Sequence, residues 1–197
     1  MSKLLSMMMS SSGGVGTLNA EIVGSLTNNN GIYSGFSENN YIKLQTPFVP
    51  SNAFEIKIKF KISSLYSTNP LFHSCIDLDY SGRYGICLIV GSGGEINYFV
   101  SADGSSWIFD MYYNNPLSEN ADYWIKFGWS GTEYYCDLSI DGTTYSRIIS
   151  FLSNTAPTSS IQYTTIGRYI DYGISGTIDN NNTSITDNGT EYYLDII

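Results

Sequence analysis

Histidine occurs once, at position 73, and lysine and arginine together nine times against eighteen acidic residues, for a net charge of −9. Nucleic acids and anionic membrane surfaces are held by clustered cations. Their scarcity argues against both partners and leaves neutral ligands, cations and other proteins open. Charged residues of both signs make up only 14% of the chain, against ~25% in ordinary soluble domains. Cysteine occurs three times, at Cys75, Cys87 and Cys136. An odd count without CxxC spacing excludes a disulfide framework and a zinc finger. Each cysteine lies among apolar residues in a strand-like run, where a free thiol packs as a small hydrophobe. That reading fits assembly in a reducing cytoplasm, with one bridge still open.

No run approaches the ~20 apolar residues needed to cross a membrane. No stretch beyond ~10 residues repeats its apolar positions at a helical period, which excludes α/β folds. The start, Met1-Ser2-Lys3-Leu4-Leu5-Ser6-Met7-Met8-Met9, is too short and too interrupted for a secretory signal. It is expected to be a tail over residues 1–16, with Leu4, Leu5, Met7, Met8 and Met9 as an apolar peg on the flexible tether Ser10 to Gly14.

In place of what is missing stand 17 Tyr, 9 Phe, 3 Trp and 19 Gly, with abundant Ser, Thr and Asn. This is the composition of many short strands joined by polar turns. The clearest strand is Phe54-Glu55-Ile56-Lys57-Ile58-Lys59-Phe60-Lys61-Ile62. Its strict alternation buries one face and wets the other. Further strands are expected around Ala20–Leu26, Ile32–Phe36, Tyr41–Leu44, Leu71–Leu78, Tyr84–Val90, Ile96–Val100 and Trp107–Tyr113. Then follow Tyr123–Trp129, Tyr134–Ile140, Thr144–Phe151, Ile161–Ile166, Ile174–Ile178, Ser184–Thr186 and Tyr192–Ile197. Asp141-Gly142 is the strongest two-residue hairpin signal, and Asp187-Asn188-Gly189 turns a last hairpin. Spacings near 8–12 residues imply one all-β domain, an antiparallel β-sandwich over residues 17–197.

The order of elements resembles a known group. Gly35-Phe36-Ser37 before Tyr41-Ile42, and Trp124 to Trp129 before Tyr135-Cys136-Asp137-Leu138-Ser139-Ile140-Asp141-Gly142, resemble laminin-G-like strands. So do Ile166-Gly167-Arg168 and Gly176-Thr177-Ile178-Asp179 at the close. The chain is similar to concanavalin A-like and laminin-G-like jelly rolls over about residues 24–188. A narrower resemblance, from the Met-, Ser- and Gly-rich start and the Tyr- and Asn-rich sandwich, is to bacteriophage structural proteins: head fibres, tail fibres or decoration proteins. It implies a virion protein assembled in the host cytoplasm, or alternatively an extracellular one. Residues 1–16 would join other virion proteins, the chain would form a homo-oligomer, and a cell-surface glycan would be the ligand.

Some concanavalin-like sandwiches are glycosidases, which need two carboxylates ~5–5.5 Å or ~6.5–9.5 Å apart. The Glu-x-Asp-x-x-Glu arrangement of that group is absent. Asp77 and Asp79 share a strand face, but they enter a Gly-containing turn where Asp is common. His73 has no Gly-x-Ser-x-Gly elbow beside it, and a hydrogen-bonded core or surface imidazole is the expected state. No enzyme is expected, and no cofactor, with calcium as the one open ion. Asp171, Asp179, Asn180 to Asn182, Asp187 and Asn188 supply the oxygen donors calcium takes, and equally the turn residues of a polar loop. Trp124 and Phe127 are expected in the core, whereas Trp107, Tyr112, Tyr113 and Tyr134 are the expected ligand-facing aromatics. The expected function is binding or display. The alternatives are a purely structural virion protein and a glycosidase.

Overall fold

A computed structural model describes residues 14–50, 52–78 and 84–197. Among them there is no helix. The strands are β1 (Val15–Val23), β2 (Thr27–Asn29), β3 (Ile32–Ser34), β4 (Tyr41–Leu44), β5 (Phe54–Ile62) and β6 (Asn69–Cys75). They continue with β7 (Tyr84–Val90), β8 (Ile96–Ser101), β9 (Trp107–Tyr113), β10 (Asp122–Trp129), β11 (Glu133–Ser139) and β12 (Ser146–Leu152). The last are β13 (Tyr163–Ile166), β14 (Arg168–Tyr169), β15 (Tyr172–Gly173), β16 (Gly176–Asp187) and β17 (Thr190–Ile196).

The main path of strands runs β12-β11-β10-β5-β16-β17-β1-β4-β13-β6-β7-β8-β9. It folds back on itself, so that β12, β11, β10, β5 and β16 face β13, β6, β7, β8 and β9. Ring contacts across the gap fix this stacking: Phe72 meets Phe127 at 5.5 Å, Tyr98 meets Phe127 at 5.4 Å, and Phe109 meets Phe151 at 5.1 Å. Such edge-to-face and stacked pairs add about 0.5–1.5 kcal/mol each beyond the area they bury. The result is an antiparallel β-sandwich closed on one side by β17 and β1 and open on the other between β9 and β12. The pairing of β1 with β17 is parallel, from Val15 opposite Glu191 to Ala20 opposite Ile196. Among the described residues strand pairing is thus already present at Val15 and Gly16, which the expected boundary at Thr17 placed in the tail.

Strand β5 shows how local pattern becomes packing. Every apolar residue from Phe54 to Ile62 is buried and every charged one between them is half-buried. Burying each such side chain contributes roughly 1.5–3 kcal/mol. Its partner β10 lies in perfect antiparallel register from Asp122 opposite Lys61 to Trp129 opposite Phe54. That register buries Ile125 and Phe127 and turns Trp124 outward, half-buried, with the Lys59 ammonium 5.0 Å from its ring. Trp124 is therefore not a core residue, unlike Phe127.

Turn chemistry follows the positive φ values. Asn30 and Gly31 (φ 53° and 85°) close β2 onto β3, and Asn188 and Gly189 (φ 48° and 80°) close β16 onto β17. Both are two-residue turns in which Asn and Gly accept the left-handed region. Asp141-Gly142 is different: it sits within the longer connection Ile140 to Tyr145, not in a two-residue hairpin. All three cysteines are free and buried.

Candidate functional site

The four aromatics expected at a ligand surface separate into three environments. The inner residues of β9 are Phe109, Met111 and Tyr113, opposite Val100, Tyr98 and Ile96 of β8. The alternate residues face out: Asp110 stands opposite Phe99, and Tyr112 opposite Asn97. A register shift between Val100 and Ser101 then brings the Trp107 ring against Phe99, centroids 5.1 Å apart. Trp107 is 38% exposed and Tyr112 58%. Trp107, Phe99, Asp110, Tyr112 and Asn97 thus form one outward face on an edge of the sandwich. Phe99, Asp110 and Asn97 were not expected there, because only the cross-strand register places them.

The turn that presents Trp107 is built by Asp103. Its Oδ1 accepts the backbone N–H groups of Ser105 (2.8 Å) and Ser106 (2.6 Å), which hold the carboxyl well below the usual carboxylate range. Ser101 Oγ donates to the Ser106 carbonyl at 2.7 Å and accepts the N–H of Gly104 at 2.8 Å. The same device recurs in the β11–β12 connection. Asp141 Oδ1 accepts from Thr143 N and Thr144 N, both at 2.7 Å, and Gly142 N donates to Ser139 Oγ at 3.0 Å. The shared pattern is Ser-x-Asp-Gly followed by two hydroxyl residues, at Ser101–Ser106 and Ser139–Thr144. It was readable in the sequence as a short repeat.

Tyr113 points the other way, into a cleft of about 530 Å³ at the open side. Phe109 on Phe151 zips β9 to β12 at one end of that side; toward Tyr113 and Ile148 the two edges part. Leu117, Tyr123, Leu138 and Ile140 complete the apolar lining, with Asp141 at the rim. Tyr134 belongs to neither surface. It is fully buried, 6.5 Å from Tyr98, 5.0 Å from Phe109 and 5.7 Å from Trp129 in ring centroids. Its hydroxyl donates to the Thr155 carbonyl at 2.6 Å. As a ligand residue it is ruled out by burial.

The three aspartates expected at a calcium site are not brought together. Asp171 is exposed between β14 and β15. Asp179 is buried and committed to Lys59 (3.1 Å), Asn181 N (3.0 Å) and Asn182 Nδ2 (3.0 Å). Asp187 closes β16, eight positions further on, on the order of 20 Å away at the usual strand rise. Burial pushes its carboxyl pKa up. Among the described residues no three His, Cys, Asp or Glu side chains converge as a metal site. Adding calcium or EDTA is therefore expected to leave the thermal midpoint unchanged, which differential scanning fluorimetry checks.

His73 is buried beneath β14, its ring 4.9 Å from the Tyr169 ring. Neither ring nitrogen has a hydrogen-bond partner, contrary to the expected bonded imidazole. A general base must reach the hydroxyl it deprotonates, so His73 does not serve a serine triad here. Asp77 is described, but Asp79 lies outside the described residues, as do Leu4, Leu5, Met7, Met8 and Met9.

No family model and no curated protein sequence matches this chain. Solved structures do. Domain 4 of AbnA, a GH43 extracellular arabinanase from Geobacillus stearothermophilus in complex with arabinotriose, aligns with a TM-score of 0.62 and 16% identity. The alignment covers 83% of this chain and 76% of that one. The fold is the concanavalin-like jelly roll. The carbohydrate-binding module CBM66 from Bacillus subtilis aligns over 91% of this jelly roll and 99% of its own chain, at TM-score 0.51 and 12% identity. The CBM40 of the Ruminococcus gnavus IT-sialidase, bound to α2,3-sialyllactose, covers 66% and 74% at TM-score 0.52 and 12% identity. At such identities the likeness establishes architecture, and function is argued from the site.

Proposed function

We propose that this jelly roll is a non-catalytic glycan-binding module whose ligand lies along the outer face of β8 and β9. One observation carries the reading: the exposed Trp107 ring tilted against Phe99 at 5.1 Å, with Asp110, Asn97 and Tyr112 beside it. A sugar ring has an apolar face that an aromatic plane can cover, and hydroxyls that carboxylate, amide and phenol groups can bond. The carbohydrate-binding modules among its structural neighbours support the reading as analogy. Removing the indole takes away about 60 Å² of apolar contact, about 1.5 kcal/mol, or roughly tenfold in affinity. On a glycan array, Trp107→Ala is expected to lose at least that factor against every bound glycan while its far-UV spectrum is unchanged. Equal binding by the variant and the parent chain overturns the site.

The setting proposed with it is display on a phage particle through Leu4, Leu5, Met7, Met8 and Met9. Among the described residues the sandwich is bonded from Gly14 onward, the Gly14 carbonyl accepting the Glu191 N–H at 3.1 Å. Deleting residues 1–13 keeps this contact. The deletion is expected to abolish incorporation into particles, assayed by immunoblot of purified virions, and to leave glycan binding intact. Normal incorporation refutes the anchor.

A further inference from the structure

Basic side chains are divided unequally between the two halves of the sandwich. Lys57, Lys59 and Lys61 of β5 and Lys126 of β10 alternate with buried neighbours and face out from one half, where Arg147 of β12 is also exposed. Four of the five are paired there: Lys59 with Asp179 (3.1 Å), Lys61 with Asp122 (3.4 Å), Lys126 with Glu55 (3.9 Å), and Arg147 with Glu133 (2.8 Å) and Asp137. Three also cap aromatic rings, Lys59 over Trp124, Lys126 over Tyr145 and Arg147 over Tyr135. Strands β6, β7, β8 and β9 of the other half contain no lysine or arginine at all. The other described cations are Lys43 of β4, bonded to Glu21 at 3.2 Å, and Arg168 of β14, buried over the Tyr41 ring. Arg83 lies outside the described residues.

Among the described residues the face around Trp107 therefore carries no cation, and its carboxylates are Asp110, Asp103 in the turn beside Trp107, and Glu95 beside Asn97; Asp103 and Glu95 already accept backbone N–H groups, and Asp110 does not. Asp110 is exposed on β9, opposite Phe99 and two residues from Tyr112, and no donor among the described residues bonds it. Aspartate is a poor strand former, and here it interrupts Trp107-Ile108-Phe109 and Met111-Tyr112-Tyr113. Partial burial raises its pKa, so its solvation is already incomplete. We infer that Asp110 makes this face selective for uncharged saccharides, by accepting hydrogen bonds from ligand hydroxyls and repelling ligands that carry a carboxylate. The inference rests on the glycan-binding reading and names its ligand class.

The chemistry is that of a carboxylate with no donor of its own among the described residues. An ionised carboxylate accepts through both oxygens, so two neighbouring hydroxyls of one sugar ring can donate to it together. Bonds to a charged acceptor are about twice as strong as neutral ones. A second carboxylate about 6 Å away, in a medium between protein surface and water, lowers affinity close to tenfold. With a net charge of −9 on the chain, no longer-range attraction offsets that loss. The simpler role for Asp110 is edge protection, since β9 ends its sheet and a charge there discourages pairing with another strand.

The test is a glycan array probed with the full chain, comparing neutral glycans with counterparts that differ only by a terminal sialic or uronic acid. The parent chain is expected to hold the neutral member at least tenfold more tightly, with the gap narrowing at high salt. Asp110→Asn should shrink the gap and weaken neutral binding, and Asp110→Lys should reverse the preference. Acidic members bound as well as neutral ones by the parent chain overturn the inference while leaving glycan binding standing. Arg83→Ala then shows whether that side chain supplies the attraction. Unchanged selectivity in Asp110→Asn with new self-association by sedimentation velocity assigns Asp110 to edge protection and also overturns it. If no glycan binds the parent chain, the glycan-binding reading itself fails.

Discussion

Replacing Tyr134 by alanine is expected to lower stability by about 3–5 kcal/mol, the range for truncating a large buried aromatic. The ring is in the middle of a layer: Trp129 stacks on it at 5.7 Å, and Phe109 and Tyr98 meet it at 5.0 and 6.5 Å. Truncation leaves a cavity that four rigid strands cannot close, and it orphans the Thr155 carbonyl that now accepts the hydroxyl at 2.6 Å. For a chain of this size about 2–4 °C of midpoint follows each kcal/mol, so a drop near 10 °C should appear in a thermal scan. Tyr134→Phe separates the two causes. It keeps the ring and loses the hydrogen bond, and should cost only about 1–2 kcal/mol. A Tyr134→Ala protein that melts like the parent would mean that the ring is not buried, and would return Tyr134 to the candidate ligand surface.

That case also shows what the sequence could and could not tell. Tyr134 shares strand parity with Cys136, and both face the core. The parity was available, and expecting Tyr134 at a surface gave its aromatic character more weight than its position. Trp124 failed in the opposite sense: one odd step from Phe127 puts it on the other face. The alternation of Phe54 to Ile62 was fully legible because nine residues of period two admit no other reading. Strand β16 was not, since Asn180, Asn181 and Asn182 look like a loop. The chain instead continues through a bulge between Asp179 and Ser184, stitched by Thr183 Oγ donating to the Asp179 carbonyl at 2.9 Å. The Trp107 face was half legible. Trp107 and Tyr112 announce themselves by residue type, but Phe99, Asn97 and Asp110 join them only through the β8–β9 register and its shift at Ser101. A single sequence carries strand parity well and cross-strand register poorly, because register depends on where each bulge falls.

Acid should weaken this protein from a pH well above that at which carboxylates titrate. Burial, aided by the Arg168 guanidinium, holds the His73 imidazole pKa down to about 3, against 6.5 when the chain is unfolded. Below pH 6.5 the unfolded chain therefore binds a proton that the folded one refuses. Stability falls as pH drops from about 6.5 toward 3, at up to roughly 1.4 kcal/mol per pH unit. The groups around the ring offer no relief: Tyr169 presents its edge or face, Arg168 is already cationic, and Cys87, opposite His73 across the strand pair, has its thiol pKa raised by burial. No other group adds to that fall between pH 6.5 and 5. Asp103, Asp141 and Glu133, held low by hydrogen bonds, lose their contribution only as pH falls through the carboxylate range. Asp110 and Asp187, raised by burial, act with the opposite sign and gain stability there. Between pH 6.5 and 5 the slope thus belongs to His73, the one histidine in the chain. Urea midpoints measured across that window should fall steadily in the parent chain and stay level in His73→Leu, which keeps the volume and removes the titrating group. A level profile in the parent would show that the folded imidazole takes up its proton over the same range as the unfolded one, and that water or a partner reaches the nitrogens that stand without one here.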